Sequence, residues 1–354
     1  MKVVTLDLGI KQYDILIKNG LFCEIDKHIE SVFTGNRIVV ITDENLSKLH
    51  GGRLLEKLRE ADYTADEIVI EPGEKSKHLN NLGSLYKKLL DLEITRNDLI
   101  IAFGGGVVGD LAGFLAATYL RGLKLVQIPT SLLAMVDSGI GGKVAVDLDE
   151  GKNLVGTFYH PEVVLIDPEL LKTLPRNEFS NGMAEVIKYG CIYDQEMFDE
   201  ISKLHYNDGI YKAIVPIIFR SAQIKSEIVS NDELDRGERM LLNFGHTIGH
   251  ALEKVYNYEK LTHGEAVAIG MYHITKNSEA LGLTKVGTAN QIKDILRQFD
   301  LPVLIDDMLK DKIEKIMKND KKRMGDEINF ILLKDIGEAY IRSVKIEKIK
   351  EYIK

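Results

Sequence analysis

The first 170 residues alternate short β-branched runs with amphipathic stretches, and this alternation restricts the fold more than any other feature of the chain. Strand patterns occupy residues 37–42, 67–70, 98–103 and 124–129. Helical periodicity follows the first two of them, at residues 45–61 and 77–92. Strand–helix alternation at this spacing predicts an α/β fold with a doubly wound, mostly parallel, Rossmann-like sheet.

The pattern changes near residue 170. Two prolines, Pro168 and Pro175, flank a short helical segment there, and long helical periodicities dominate beyond it. Residues 328–333 form the main strand pattern of this second half, whereas residues 3–8 and 13–17 predict an opening hairpin outside the strand–helix alternation. We therefore predict an α/β domain over residues 1–170 and a mostly α-helical domain over residues 171–354.

Composition argues against several classes of protein. The chain of 354 residues has a formal net charge of −8, which argues against a general nucleic-acid binder. It has no apolar run of about 18 residues and no signal-peptide pattern at its start, so no membrane span is expected and the cytoplasm is the predicted location. Its two cysteines, Cys23 and Cys191, cannot form a disulfide framework and are predicted to be buried thiols.

Three histidines, His246, His250 and His263, lie in segments that otherwise have the pattern of buried helices. His246 and His250 are four residues apart and therefore share one helix face. Small residues beside them, such as Gly245 and Gly249, are predicted to leave room for a metal or a substrate. A lone histidine on such a face is usually a hydrogen-bonded core residue, but three in two neighbouring segments favour a site.

A carboxylate ligand for this site must come from elsewhere in the chain, because the pattern is not the His-Glu-x-x-His of zinc proteases. Glu185 is the best candidate. It lies three residues from Lys188 in an otherwise apolar turn. Burial of two such charges is costly unless they are paired or metal-bound, which favours a functional position.

A glycine-rich turn at residues 102–110 follows a predicted strand and opens a predicted helix. Gly105 and Gly106 allow a ligand to approach the backbone, and the helix N-terminus offers N–H groups to a phosphate. The alternative is a tight strand–helix turn without a ligand, since the sequence matches neither G-x-G-x-x-G nor a P-loop.

Two other loops are predicted at the carboxyl edge of the same sheet, where such folds bind ligands. Asp43 could bind a ribose hydroxyl or simply cap the next helix, and a second loop supplies Glu74 and Lys77. We predict a dinucleotide across these loops. A third group of polar residues consists of Thr130, Ser131, Asp137, Lys143, Lys152 and Asn153. Its lysines adjoin glycine or asparagine, which leaves ligand contact and a solvated surface position equally open.

Seven motifs together resemble the 3-dehydroquinate synthase family, the sugar-phosphate cyclases of the shikimate pathway, over essentially the whole chain. The motifs are FGGGVVGD (103–110), QIPTS (127–131), VDSGIGGK (136–143), KNLVG (152–156), NGMAEVIKYG (181–190), NFGHTIGH (243–250) and HGEAV (263–267). The resemblance implies NAD on the α/β domain, a divalent metal, zinc or cobalt, on the helical domain, and a homodimer.

The resemblance also implies roles for single residues. The implied metal ligands are Glu185, His246 and His263, and His250 then faces the substrate phosphate instead of the metal. The implied NAD contacts are Asp43, Asn45, Glu74, Lys77, Gly105, Gly106, Asp110, Thr130, Ser131, Lys143, Lys152 and Asn153. The implied substrate contacts are Asp137, Lys143, Asn153, Lys188, Lys225, Arg239, Asn243, His250, either Lys321 or Lys322, and Arg121, which would reach the neighbouring subunit's site. Asp235 stands where the family usually has glutamate, and we leave it out of the predicted site.

The implied reaction converts 3-deoxy-D-arabino-heptulosonate 7-phosphate to 3-dehydroquinate and phosphate. It combines transient NAD-dependent oxidation, phosphate elimination, reduction, ring opening and intramolecular aldol closure, and the substrate phosphate is the implied base. The alternatives are a metal-dependent polyol dehydrogenase, a cyclase for another sugar phosphate, and an NAD-binding regulatory protein without turnover. Lys225, Arg239 and Asn243 favour a carboxylated substrate, and the three candidate metal ligands disfavour a regulatory protein.

Overall fold

A computed structural model describes residues 1–204, 206, 208–318 and 326–353. The chain forms two compact units. Unit 1 comprises Met1–Leu174 and Lys225–Ser230, and unit 2 comprises Pro175–Ile224 and Asn231–Lys354. Residues from the second half of the chain therefore belong to the unit that the first half builds.

Helices and strands alternate in the N-terminal half of the chain. The second half is mostly helical. The elements up to Leu174 are β1 (Lys2–Asp7), β2 (Gln12–Ile17), α1 (Ile25–Glu30), β3 (Arg37–Asp43), α2 (Glu44–Leu46), α3 (Gly52–Glu60), β4 (Thr64–Ile70), α4 (Leu82–Asp91), β5 (Leu99–Gly104), α5 (Gly106–Thr118), β6 (Lys124–Pro129), β7 (Lys143–Leu148), β8 (Gly151–Phe158) and β9 (Val163–Ile166). Those beyond it are α6 (Arg176–Ile192), α7 (Gln195–Ile201), α8 (Asp208–Asn231), α9 (His246–Val255), α10 (His263–Ala280), α11 (Thr288–Gln298), α12 (Lys310–Lys318), β10 (Glu327–Asp335) and β11 (Glu338–Lys345). Short 3₁₀ or π turns occupy Leu21–Glu24, Ser47–Gly51, Glu74–Lys77, Leu79–Asn81, Tyr119–Arg121, Ala134–Ser138, Pro168–Thr173, Glu238–Asn243, Asp307–Leu309 and Ile346–Tyr352.

The main sheet of unit 1 has the strand order β1-β2-β9-β6-β5-β3-β4. β1 is antiparallel to β2, and the other neighbouring strands are parallel. All residues of β5 are buried, as expected for a central strand that is covered on both faces. The predicted mostly parallel sheet is therefore confirmed. The opening hairpin forms the edge of this same sheet, because β2 pairs with β9.

The register of the sheet brings the carboxyl ends of several strands to one edge. Asp43, the last residue of β3, pairs with Ile70 of β4. Gly104 of β5 pairs with Pro129 of β6. The loops that carry the predicted cofactor residues therefore leave the sheet at a common edge, which is where folds of this kind bind ligands.

In unit 2, α6 lies at the centre, and its residues 179–192 are all buried. α10 packs against α6, α9 and α11. β10 and β11 form an antiparallel hairpin, of which the sequence predicted only the first strand. The second strand was missed because most of its side chains are at least partly exposed, so it lacks an apolar alternation.

Two findings bear on the predictions from composition. In the part of the chain that the structure describes, no helix is long and apolar enough to cross a membrane. Cys191 is a buried thiol, as predicted, but the prediction was wrong for Cys23, which is exposed. Cys23 lies in the 3₁₀ turn Leu21–Glu24, in which Leu21 and Phe22 are the buried residues. The Cys23 sulfur accepts a hydrogen bond from Arg53 at 2.8 Å.

Candidate active site

α6 brings an acidic side chain into the interior of unit 2. Glu185 and Lys188 lie one helical turn apart, and their side chains are 0% and 1% exposed. Lys188 Nζ forms an ion pair with Glu185 Oε2. The pairing offsets the cost of burying two charges, in agreement with the argument from the sequence.

Local sequence determines where the two histidine-bearing helices begin. Gly245 has a left-handed backbone, with φ of 78°, and α9 starts directly after it at His246. α10 starts at His263 because Thr262 and Glu265 form a capping box. In this box the Glu265 N–H donates to Thr262 Oγ1 at 3.3 Å, and the Thr262 N–H donates to Glu265 Oε2 at 2.8 Å.

The glycines near these histidines were predicted to leave room for a metal or a substrate, but they lie at a contact between two helices. A Cβ atom at Gly270 of α10 would lie 1.9 Å from the carbonyl oxygen of Gly245, and one at Gly249 would lie 3.1 Å from the carbonyl group of Ala266. The glycines therefore face the neighbouring helix and not a cavity. They let the backbones of α9 and α10 approach closely, which brings the start of each helix to α6.

Three side chains converge where these helices meet. Glu185 Oε1 lies 3.5 Å from His246 Nε2 and 3.6 Å from His263 Nε2. Among the described residues, these three offer ligand atoms that all lie within 4.8 Å of one another. One carboxylate oxygen and two imidazole nitrogens form the kind of donor set that binds a divalent transition metal.

The second nitrogen of each imidazole faces an oxygen atom. His246 Nδ1 lies 3.0 Å from the carbonyl oxygen of Phe244, and His263 Nδ1 lies 3.6 Å from Glu253 Oε1. With its hydrogen on Nδ1, facing that oxygen, each neutral imidazole would leave its Nε2 lone pair for the point shared with Glu185. The residues present therefore fit a divalent cation.

Burial and charge act differently on the two imidazoles. Burial lowers the pKa of His246 to about 4, because the interior solvates an imidazolium poorly. Burial also lowers the pKa of His263, but its contacts with Glu185 and Glu253 outweigh this effect and raise the pKa to about 10. At neutral pH His246 is therefore neutral. His263 is protonated on both ring nitrogens, and a metal ion would displace the hydrogen on Nε2.

His250 lies beside the triad formed by Glu185, His246 and His263. Its ring centroid is 5.3 Å from that of His246 and 6.0 Å from that of His263. The predicted shared helix face of His246 and His250 is therefore confirmed. A second set of possible ligands among the described residues consists of His250, Glu253 and His263.

Two further predicted substrate residues of unit 2, Arg239 and Asn243, lie before α9. Arg239 is 1% exposed, and its Nη1 donates to the carbonyl oxygen of Glu233 at 2.5 Å. Asn243 Nδ2 donates to the Met240 carbonyl oxygen at 3.2 Å. Asp235, the position where the family usually has glutamate, has a left-handed backbone with φ of 59°. Lys321 and Lys322 lie outside the described residues.

In unit 1, the glycine-rich turn after β5 leaves the start of α5 open. Gly105 precedes the helix, and no side chain caps its first N–H groups. A Cβ atom at Gly106 would lie 2.9 Å from Ser138 Oγ, so a larger residue would crowd the turn. Ser131 Oγ lies at the same place, 3.4 Å from the position of a Cβ at Gly105. N–H groups that no side chain caps, at a turn of glycines, fit a pyrophosphate.

Lys77 is the centre of a network of polar side chains in unit 1. Its Nζ lies 2.5 Å from both Asp110 Oδ2 and Asn153 Oδ1, and 3.9 Å from Glu74 Oε1. Burial lowers the pKa of Lys77, but the charges of Asp110 and Glu74 outweigh it and raise the pKa above its usual value. Lys152 Nζ joins the network at 3.8 Å from Glu74 Oε2. Five of the predicted NAD contacts are therefore brought together.

Other predicted residues have visible structural roles. Asp43 Oδ1 accepts hydrogen bonds from the N–H groups of Asn45 at 2.8 Å and Leu46 at 3.1 Å, which is the helix cap named as the alternative for this residue. The Thr130 N–H donates to the Gly104 carbonyl oxygen at 3.0 Å, which ties the ends of β5 and β6 together. A carboxylate has further lone pairs, so the cap at Asp43 leaves a ribose contact possible.

The other predicted substrate residues of unit 1 are Asp137, Lys143, Lys225 and Arg121. Lys225, which α8 contributes to unit 1, donates to the carbonyl oxygen of Asp137 at 2.5 Å and to its Oδ1 at 2.6 Å. Lys143 begins β7 and is exposed. Arg121 is also exposed and has a left-handed backbone with φ of 68°.

The sequence reasoning missed two buried carboxylates at these sites. Asp147, 7% exposed, accepts a hydrogen bond from the Asn153 N–H at 2.7 Å and so holds that residue in its left-handed conformation, with φ of 54°. Glu253, 3% exposed, faces His263. The signal for Glu253 was present, because positions 246, 250 and 253 have the i, i+4, i+7 spacing of one helix face.

Two family models and curated relatives match this chain. A family model described as "3-dehydroquinate synthase N-terminal" matches residues 67–181, and one described as "3-dehydroquinate synthase C-terminal" matches residues 182–323. A 3-dehydroquinate synthase from Clostridium acetobutylicum is 49% identical over 354 residues, which is 100% of this chain and 99% of that protein.

Solved structures of related enzymes have the same fold. A 2-deoxy-scyllo-inosose synthase complexed with carbaglucose-6-phosphate, NAD⁺ and Co²⁺ superimposes with a TM-score of 0.88 and 25% identity over 99% of both chains. A 2-epi-5-epi-valiolone synthase from Streptomyces hygroscopicus with NAD⁺ and Zn²⁺ bound gives a TM-score of 0.87 and 26% identity, over 96% of this chain and 94% of that chain. With half of its residues identical to named relatives along its full length, this chain belongs to the 3-dehydroquinate synthase family of enzymes.

Proposed function

We propose that this chain converts 3-deoxy-D-arabino-heptulosonate 7-phosphate to 3-dehydroquinate and phosphate, the activity that its family name describes. The convergence of Glu185, His246 and His263 in a chain that matches the family over its full length carries the proposal. The alternation of oxidation, elimination and reduction in this reaction needs both a hydride acceptor and a group that polarises a carbonyl. The two sites described above have the residues for these two tasks.

We infer that Glu185, His246 and His263 hold a divalent cation, Zn²⁺ or Co²⁺, and that the loops at the carboxyl edge of the unit 1 sheet hold NAD⁺. When bound, the cation would polarise a substrate hydroxyl or carbonyl oxygen, and NAD⁺ would take up a hydride and return it. The related synthase structures that contain NAD⁺ with Co²⁺ or Zn²⁺ support both inferences.

The NAD site is inferred from the carboxyl edge of the sheet. The uncapped start of α5 at Gly105 and Gly106 would bind the pyrophosphate, and the Lys77 network would hold the remainder of the cofactor in place. The proposed NAD contacts are Asp43, Asn45, Glu74, Lys77, Gly105, Gly106, Asp110, Thr130, Ser131, Lys143, Lys152 and Asn153. Because Lys77 is buried among three polar partners, its side chain has little freedom to lose when a ligand binds.

The proposed substrate contacts are mostly cations and hydrogen-bond donors, as a substrate with a carboxylate and a phosphate requires. The proposed contacts are Asp137, Lys143, Asn153, Lys188, Lys225, Arg239, Asn243 and His250. Arg239 and Asn243 suit a carboxylate, and His250 suits the phosphate. The substrate phosphate itself would take the proton that is lost before elimination. Fixing the substrate at both ends keeps the reacting atoms in place through successive steps.

We further infer that the active protein is a homodimer in which Arg121 serves the neighbouring subunit. Arg121 is exposed on a short turn of unit 1 and follows Leu120, which is also exposed and also left-handed. Two consecutive non-glycine residues in this conformation store backbone strain, which proteins tolerate mainly where function requires it.

The proposal is tested by measuring phosphate release from the heptulosonate phosphate with added NAD⁺ and Zn²⁺ or Co²⁺. We expect phosphate release that requires both additions and leaves no net NADH, because the hydride is returned. Accumulation of NADH would instead indicate a polyol dehydrogenase, and preference for a sugar phosphate without a carboxylate would indicate a different cyclase. Binding of NAD⁺ without release of phosphate from any of these compounds would contradict an enzymatic role.

A further inference from the structure

Glu253 is a buried carboxylate beside the proposed metal site, and the proposed reaction assigns it no role. Its side chain is 4% exposed, and its Oε1 lies 3.6 Å from His263 Nδ1. The other nitrogen of the same ring, Nε2, lies 3.6 Å from Glu185 Oε1. The His263 imidazole therefore stands between two carboxylates, one at each nitrogen.

We propose that Glu253 is a positioning residue that holds the hydrogen of His263 on Nδ1 and so presents the Nε2 lone pair to a divalent cation. A neutral imidazole has one N–H group and one lone pair, and a carboxylate can only accept. With a cation on the Nε2 side, where Glu185 would be its ligand, the carboxylate at Nδ1 would stabilise the form of the ring whose Nε2 is free to coordinate. The inference rests on the metal site of the proposed function.

His246 shows the same arrangement with a different acceptor. Its Nδ1 faces the backbone carbonyl oxygen of Phe244 at 3.0 Å, and its Nε2 faces Glu185 Oε1. Each proposed imidazole ligand thus has Nε2 toward Glu185 Oε1 and Nδ1 toward another oxygen atom. A charged carboxylate raises the basicity of the ring more than a neutral carbonyl does, so His263 is the ligand whose strength depends on a side chain.

α9 itself explains why Glu253 can reach His263. The helix carries His246, His250 and Glu253 on one face, and the glycine contacts described above hold that face against the start of α10. His263 is the first residue of α10, fixed there by the capping box of Thr262 and Glu265. The position of Glu253 is therefore determined by the same packing that assembles the triad.

The test measures the affinity of the full-length protein for Co²⁺ by competition with a chromophoric chelator. Glu253→Gln keeps the shape of the side chain but removes its charge, and we expect Co²⁺ binding to weaken by about 10- to 100-fold, the usual effect of losing such an outer partner. The visible absorption of bound Co²⁺ should also shift, because it reports the ligand field. Glu259→Gln, an exposed glutamate just beyond α9, is the matched control and should change neither.

Wild-type affinity and an unchanged Co²⁺ spectrum in Glu253→Gln would overturn the inference and leave the proposed function intact. Failure of the wild-type protein to bind Co²⁺ would instead contradict the proposed metal site itself. Two Co²⁺ ions per wild-type chain would also overturn it, because Glu253 would then be a ligand of a second cation with His250 and His263.

A measurement on the wild-type protein keeps the inference testable if Glu253→Gln does not fold. In the Co²⁺-loaded protein, each coordinating imidazole with a protected Nδ1–H gives an exchangeable, hyperfine-shifted proton resonance. We expect one such resonance from His246 and one from His263. A single resonance would overturn the role of Glu253.

Discussion

The buried residue Glu185 contacts both Lys188 and the two imidazoles. Lys188 pairs with one oxygen of the Glu185 carboxylate, while the other oxygen faces His246 and His263. The lysine thus balances the carboxylate charge without covering the oxygen that faces the imidazoles. A hydrophobic residue at position 188 would leave a buried carboxylate with less compensation, which is costly.

Replacement of His263 by alanine should remove bound metal while the fold survives. The side chain is 28% exposed at the first position of α10, so its loss creates no large cavity. We expect elemental analysis to find close to no Zn²⁺ or Co²⁺ in His263→Ala and cooperative thermal unfolding to persist. His50→Ala, in unit 1, is the control and should retain the metal. Unchanged metal content in His263→Ala would exclude His263 as a ligand.

The close contact between helices α9 and α10 depends on glycine. Gly270→Ala should be destabilising, because the new Cβ would lie 1.9 Å from the Gly245 carbonyl oxygen. We expect a loss of about 1–3 kcal/mol in the free energy of unfolding. Because α9 carries His246 and α10 carries His263, Co²⁺ affinity should fall as well.

The matched control for Gly270→Ala is Gly83→Ala, which places the same substitution in the exposed first turn of α4. A Cβ atom at Gly83 would meet nothing within 4 Å. There the substitution should be neutral or stabilising by about 0.5–1 kcal/mol, because alanine has the higher helix propensity. Chemical denaturation measures both variants, and equal effects would show that the close helix contact does not matter.

Asp194 caps α7 and provides a pH-dependent element of stability. Its Oδ1 accepts from the Met197 N–H at 3.0 Å, and its Oδ2 accepts from Arg220 Nε at 2.5 Å. Burial raises the pKa of Asp194, but the Met197 N–H and Arg220 outweigh it, so the pKa lies below its usual value. The contribution to stability is therefore present above the usual aspartate pKa of about 4 and is lost as the pH falls through the lowered value.

Asp194→Asn should consequently lower the free energy of unfolding by about 1–2 kcal/mol at neutral pH. The difference from wild type should shrink in acid, where wild-type Asp194 is itself protonated. Urea denaturation across this pH range measures it. Asp199→Asn, at an exposed position of α7, should show neither effect, and a pH-independent deficit in Asp194→Asn would contradict the ionic contribution.

On the scale of the whole molecule, a segment far along the chain completes unit 1. Lys225–Ser230 of α8 belong to this unit, and Lys225 is the residue that binds Asp137. The N-terminal half by itself would therefore lack the contact between Lys225 and Asp137. The two halves of the sequence are not independent modules.

The proposed dimer leads to a prediction for mixed assemblies. Arg121→Ala and His263→Ala should each be inactive alone, but hybrid dimers of the two variants should regain about half of wild-type activity, because one of the two sites in each hybrid is intact. Phosphate release by the purified hybrid measures this. No recovery would mean that Arg121 acts within its own subunit or not at all.

Sequence reasoning predicted the elements that carry strong local signals. The buried strands 98–103 and 124–129 were found because covered strands are continuously apolar. β11 and the exposed Cys23 were missed because both lie at the surface, where residue type constrains structure weakly. Glu253 was missed because an acidic residue in a helix usually lies on its solvated face.

The residue pattern was enough to predict the family, the alternation that builds the parallel sheet, and the shared helix face of His246 and His250. The contacts of Glu185 with the two imidazoles, of Asn153 with Lys77 and of Glu253 with His263 were seen in the folded chain. The physical reason is that periodicity and capping act between residues a few positions apart. Which faces meet depends instead on how distant elements pack, and here that depends on close contacts such as the one between Gly270 and Gly245.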